Sequence, residues 1–229
     1  MKKSMLTLVG CALAAGTVMA AEVAGNNTAV VIQKDAVVSN NYYQFLIVPV
    51  KGFDITGGGT ATTLTLAEIL PPVAYTTGTT VYAANDTTNI YKVDGGAWVD
   101  GEGNNKDDTE IPAETILWMK TSKTDVSATV FCGEQSSTEV SVTPQSGFVA
   151  FGNATSAAVE YNDIKVDGGE ATKGDLIYCV KEGSYDYYIL RYNGDNWTKP
   201  PASGNGAYVD VVEGTDVFPA GAAAYYYRK

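Results

Sequence analysis

The chain has no histidine. That removes the usual general base at neutral pH, imidazole-ligated zinc, and Ser-His or Cys-His nucleophiles together. Gly57-Gly58-Gly59 lacks both the lysine and the following helix of a phosphate-cradling loop. Aspartates and glutamates are plentiful, but most sit in Gly- and Asn-rich loops where solvation explains them. A hydrolase would need two of them facing each other across a cleft, about 10 Å apart or closer. The residues therefore point away from catalysis, and we expect no enzyme.

Two cysteines, Cys132 and Cys179, lie beyond the first twenty residues, and neither has a CxxC neighbour. In an oxidising compartment they are candidates to pair as a disulfide, with two buried thiols as the alternative. The loop from Asp100 to Asp108 offers Asp100, Glu102, Asn104 and Asp107 as oxygen ligands at spacings that resemble the start of a calcium loop. Asn105 stands where such a loop wants glycine and Ile111 where it wants glutamate, so a solvated acidic loop is the competing reading.

Tyr185, Tyr187, Tyr188, Tyr192, Trp197 and Tyr208 gather aromatic rings in the second half of the chain. Exposed rings could stack on sugar faces, and Tyr185, Tyr187 and Tyr208 are the candidates for a glycan-binding face. Trp98 and Trp197 occupy matched positions, which marks them as core residues.

The elements that must position these residues start with a leader. Lys2 and Lys3, an apolar run from Met5 to Ala15, and Val18-Met19-Ala20 form the three parts of a secretory signal, with cleavage expected after Ala20. The apolar run is too short to cross a bilayer, which takes about 20 residues. It also continues past Cys11, which argues against a lipid anchor on that thiol. With 15 basic and 26 acidic residues the formal charge is −11, and losing the two leader lysines makes it more negative. Such a surface repels phosphate backbones and anionic lipids, so nucleic-acid and membrane partners are poor expectations.

Beyond the leader, the chain reads as two diverged copies of one unit, at residues 27–122 and 126–229. Thr80-Val81-Tyr82-Ala83 lines up with Leu176-Ile177-Tyr178-Cys179, and Ile90 to Trp98 lines up with Ile189 to Trp197. Ile111-Pro112-Ala113 before Ile116-Leu117-Trp118 answers Phe218-Pro219-Ala220-Gly221 before Tyr225-Tyr226-Tyr227. Upstream, Gln44–Val48 matches Gly147–Phe151, and Ala29–Ile32 matches Ala128–Phe131.

Short runs rich in β-branched and aromatic residues, cut by Gly, Asn, Asp and Pro, predict strands throughout. Asp94-Gly95 and Asn193-Gly194 predict hairpin bends. Thr65-Leu66-Ala67-Glu68 forms a capping box and predicts one helical turn, ended by Pro71 and Pro72, with Val159–Ile164 as its counterpart. The expected fold is all-β, two tandem sandwiches or small barrels with about one short helical turn each.

Gly174-Asp175-Leu176-Ile177-Tyr178, Trp197, and Pro219-Ala220-Gly221 before a closing aromatic strand resemble secreted bacterial tandem β-repeat proteins with a G-D-x-I-Y, W, P-A-G pattern. In the first copy Thr79 replaces the Asp and Glu114 the Gly. The resemblance implies export, tandem β-units and an envelope or extracellular role, and supplies no activity.

The sequence reading is an exported extracellular or cell-surface structural or interaction protein, of the surface-layer or filament-subunit type, with the periplasm as the alternative location. Self-association or other envelope proteins are the expected partners. A carbohydrate-binding module is the alternative function. No cofactor is expected apart from the calcium candidate above.

Overall fold

The computed structural model describes residues 19–23, 27–35, 42–52, 63–84, 86–121, 128–180, 187–201 and 206–229. The first part of the chain runs β1 (Met19–Val23), β2 (Asn27–Asp35), β3 (Tyr42–Ile47), β4 (Val50–Lys51), β5 (Leu64–Thr65), the single-turn helix α1 (Leu66–Ile69), β6 (Thr80–Ala83), β7 (Asp86–Asp94), β8 (Ala97–Val99), β9 (Glu110–Ile111) and β10 (Ile116–Thr121). The second part runs β11 (Ala128–Gln135), β12 (Ser141–Val142), β13 (Gly147–Gly152), β14 (Val159–Glu160), β15 (Lys165–Val166), β16 (Leu176–Val180), β17 (Tyr187–Tyr192), β18 (Trp197–Lys199), β19 (Val209–Asp210), β20 (Val217–Phe218) and β21 (Ala223–Arg228). The protein is all-β. Among the described residues no helix is long and apolar enough to cross a membrane.

Two antiparallel sheets dominate. One has the order β3-β10-β6-β7-β8 and the other β13-β21-β16-β17-β18, extended by β19. The registers agree as well as the order. Leu117 pairs with Ala83 and Met119 with Val81 in the first sheet, while Ala224 pairs with Cys179 and Tyr226 with Ile177 in the second. Val93 faces Trp98 across one hairpin and Tyr192 faces Trp197 across the other.

Loop bonds repeat too. Gly78 and Gly174 both take positive φ and donate to Val93 and Tyr192, whose amides return to Thr79 and Asp175. Near the sheet edge, Val48 bonds to Thr115 and Glu114 as Asn153 bonds to Ala222 and Gly221. This sets Val48 against Asn153, two residues beyond the alignment read from Gln44–Val48. A shift of two keeps every side chain on its face.

Each main sheet lies over its own core. Leu46, Val81, Val93, Trp98, Leu117 and Met119 point from the first sheet toward Leu66, Ile69, Leu70, Tyr75 and Ile111. These come from α1, the Pro72–Ala74 turn and the β5·β9 ladder. In the second unit Phe151, Ile177, Leu190, Trp197 and Tyr226 meet Val140, Val142, Tyr161, Val166 and Phe218. The cover there is the parallel β12·β15 ladder, the β14·β20 ladder and a 3-10 turn at Tyr161–Asp163. Both main sheets are open-ended in strand order, so among the described residues neither closes into a barrel.

Local chemistry explains the punctuation. At the start of α1 the Thr65 amide donates to Glu68 at 2.8 Å, closing the expected capping box. The β7–β8 bend is Gly95-Gly96, both at positive φ, because a two-residue turn that follows strand twist needs that region. The corresponding β17–β18 bend is longer, and the Asn193 side chain organises it by accepting the amides of Asp195 and Asn196.

A third sheet, β1-β2-β11-β4, joins the halves. Here Ala29–Asp35 runs antiparallel to Ala128–Glu134, so the two sequence-matched strands pair with each other. Phe131, beyond the expected boundary between units, is buried in the first core. The main sheets also meet through an aromatic seam. Phe45 stacks on Trp118 at 4.4 Å and on Tyr225 at 4.8 Å, and Trp118 Nε1 donates to Tyr225 Oη at 2.9 Å. Gly152 is needed where β13 crosses β3, since a Cβ there would stand 2.6 Å from the Ile47 Cβ.

Candidate functional site

The residues singled out for chemistry do not converge. Cys132 is exposed on β11 in the joining sheet, beside the inward-facing Phe131. Cys179 is buried in the second core on β16. No disulfide links them, because their strands belong to different sheets and their side chains serve different surfaces.

The acidic loop is also organised for itself. Asp100 Oδ1 accepts the amides of Glu102 at 3.0 Å and Asn104 at 2.9 Å, and Lys106 lies 3.4 Å from Oδ2. The Asn104 side chain, then its backbone amide, hold the Asp100 carboxyl down at about 2. Asp107 turns the other way and takes the Trp98 amide at 2.8 Å. Its remaining oxygen takes Asn105 Nδ2 at 3.1 Å. The expected calcium ligands Asp100, Glu102, Asn104 and Asp107 are therefore engaged as turn formers. Among the described residues no group of three or more acidic or thiol side chains is arranged to hold a metal.

Of the glycan candidates, Tyr208 is exposed, next to β19. Tyr187 opens β17 opposite Val180, and Tyr185 lies outside the described residues. Tyr188, the residue after Tyr187, goes inward to a cluster the sequence did not reveal. Its hydroxyl bonds the Tyr161 hydroxyl, which lies 3.5 Å from Cys179 Sγ. Burial pushes the Cys179 thiol up to about 11 and raises both phenols well above their ordinary value.

A second polar group sits at the other end of β16. Asp175 is buried and receives Arg228 Nη2 at 2.6 Å, the Thr172 amide at 2.7 Å and the Tyr226 hydroxyl. Burial alone would raise its carboxyl, but the Arg228, Tyr226 and Thr172 hydrogen bonds outweigh it and the net shift is downward. The Gly-Asp pair before an apolar strand was legible as a motif. Its side-chain partners Tyr226 and Arg228 lie over fifty residues away, so only the β16·β21 ladder brings them together.

Among the described residues an open cleft of about 700 Å³ lies on the second unit, between the Asn162–Ala171 segment and the β17–β18 bend. Tyr192, tilted against Trp197 at 5.4 Å, lines it with Asn162, Asp163, Lys165, Asp167 and Asp195. Asn162 Oδ1 accepts the Trp197 amide at 3.0 Å, tying the cleft wall to the core tryptophan. Its lining is polar, with one half-buried ring and several carboxylates. Such a surface can take a hydroxyl-rich ligand through a ring face and hydrogen bonds.

No protein-family model, curated protein or solved structure matches the chain.

Proposed function

We propose that the chain is an exported cell-surface or extracellular structural or interaction protein, built from two copies of one β-unit and without catalysis. The observation that carries this reading is where the reactive side chains go. Asp175 locks β16 to β21, Asp100 and Asp107 close a turn, and Cys179 with two phenols fills a core. Polar groups held this way specify a scaffold.

The test is compartment and processing. Fractionation of the producing cell should place the protein outside the cytoplasm, and mass spectrometry should give Ala21 as its first residue. A cytoplasmic, uncut chain would end the proposal.

The cleft beside Tyr192 favours glycan binding as a second reading. Retention of the processed chain on insoluble polysaccharide, lost at least about tenfold in Tyr192→Ala, would support it. Equal retention of the variant would move any such site elsewhere.

A further inference from the structure

The joining sheet changes when the leader is removed. β1 pairs with β2 in the register Met19↔Val31, Ala20↔Val30, Ala21↔Ala29, Glu22↔Thr28 and Val23↔Asn27. Cleavage after Ala20 deletes the partners of Val30 and Val31, and β1 makes no pair with Ile32–Asp35. Among the described residues nothing then pairs with the outer edge of β2 from Val30 to Asp35. Edge strands are normally guarded by short length, proline, a bulge or inward charge. β2 spans nine residues with neither proline nor glycine, and its charges, Lys34 and Asp35, stand at its end. At one end of each main sheet β8 and β19 have three and two residues, too short to offer a comparable template, and at the other ends the six-residue β3 and β13 lie against each other where Gly152 meets Ile47.

We propose that the edge of β2 exposed by processing pairs antiparallel with the same edge of a second copy of the chain. This rests on the export reading above and adds the surface by which the exported protein associates. The second copy is the fitting occupant because the chain already shows the contact internally. The inner edge of β2 pairs antiparallel with β11, the strand its sequence matches, over Ala29–Asp35. A two-fold contact on the outer edge repeats that pairing and extends one continuous sheet through both molecules. With Gln33 opposite Gln33 of the second copy, Lys34 meets Ile32 and Asp35 meets Val31, so no like charges face each other. The remaining residues of β1, Ala21–Val23, stay on Asn27–Ala29 and do not block the run.

The experiment compares chains that begin at Ala21 and at Met19, by sedimentation equilibrium up to about 100 μM. The Ala21 chain should dimerise, and the Met19 chain, with its longer β1, at least about tenfold more weakly. Val31→Pro and Ile32→Pro in the Ala21 chain supply the second arm. Successive residues of an antiparallel strand send their amides to opposite edges, so one of the two removes an outward donor and spares the β11 ladder. That variant should keep its far-UV spectrum and melting temperature and lose the dimer. A monomeric Ala21 chain, equal dimerisation from both start points, or dimers that survive both proline variants would each overturn the proposal. Those results leave the export reading standing, since it is decided separately by the compartment and first residue of the exported chain.

Discussion

The two cores share one strand order but are held by different chemistry. Where the second core has Tyr161, the first has Leu66, because Val159↔Phe218 and Leu64↔Ile111 are equivalent ladder pairs. Where the second has Cys179, Tyr226 and Arg228, the first has Ala83, Met119 and Thr121. Thr79 takes the place of Asp175 and keeps the same backbone bonds to the facing strand. The first unit closes on apolar packing and the second on a buried ion pair and a phenol–thiol cluster. One backbone plan thus accepts either solution, provided the buried polar groups of Asp175, Tyr161 and Cys179 find partners.

The largest effect that could break this comparison is loss of either indole. Trp98 and Trp197 are both almost fully buried, and Trp98 Nε1 donates to the Leu70 carbonyl at 2.7 Å. Trp98→Ala and Trp197→Ala should each cost about 3–5 kcal/mol in denaturant unfolding. If one costs far less, the two positions are not equivalent in packing.

Next comes the ion pair. Asp175→Asn should cost about 2–4 kcal/mol, below the full cost for a buried pair because Arg228 keeps some solvent contact. Thr79→Ala, at the matching place, should cost about 1 kcal/mol or less. Equal losses would mean that the polar lock contributes nothing beyond the turn it sits in.

A smaller test concerns the bend before each closing strand. Glu114 and Gly221 both take left-handed backbone, at φ 66° and 73°. Glu114→Gly should raise stability by about 0.5–1 kcal/mol, and Gly221→Ala should lower it by about 1–2 kcal/mol. Both are read from shifts in the urea midpoint.

Titration gives the mildest contrast, and its sign follows from the shifts. Asp175 has a lowered carboxyl, so its stabilisation is present above the unfolded value near about 4 and is lost as pH falls below it. Cys179 and the two phenols are raised by burial. Their contribution is complete below the unfolded thiol value of about 8.5 and declines as pH rises toward and beyond the folded one. With Trp118 replaced by Phe throughout, tryptophan fluorescence of Trp197, followed in a Trp98→Phe background, should therefore show alkaline loosening of the second core. Trp98 in a Trp197→Phe background should respond later, since Leu66 and Ala83 carry no proton to lose.

Much of the fold was legible because it is local. Period-two strands, the Thr65–Glu68 capping box and the turn glycines each act over a few residues, and their chemistry is readable without coordinates. The alignment of Thr80–Ala83 with Leu176–Cys179 and of the two tryptophan hairpins falls on positions with equivalent ladder partners. The Gln44–Val48 match slipped by two because strand periodicity repeats every second residue and cannot distinguish such registers.

The candidate sites were less legible. Oxygen spacing offered Asp100 as a ligand but could not show that its Oδ1 accepts the Glu102 and Asn104 amides. Tyr188 and Asp175 were visible as residues, but their roles depend on Tyr161 and Arg228, which are distant in the chain.

Residue order alone determined the all-β class, the acidic charge, the absence of imidazole chemistry and the places where the chain must bend. Each of these follows from composition or from interactions within one turn or strand. Tertiary structure decided that Ala29–Asp35 lies against Ala128–Glu134, that Phe131 fills the first core and that Cys132 and Cys179 serve separate surfaces. Those outcomes depend on which strand edges find each other, and backbone edges are chemically alike in every residue but proline.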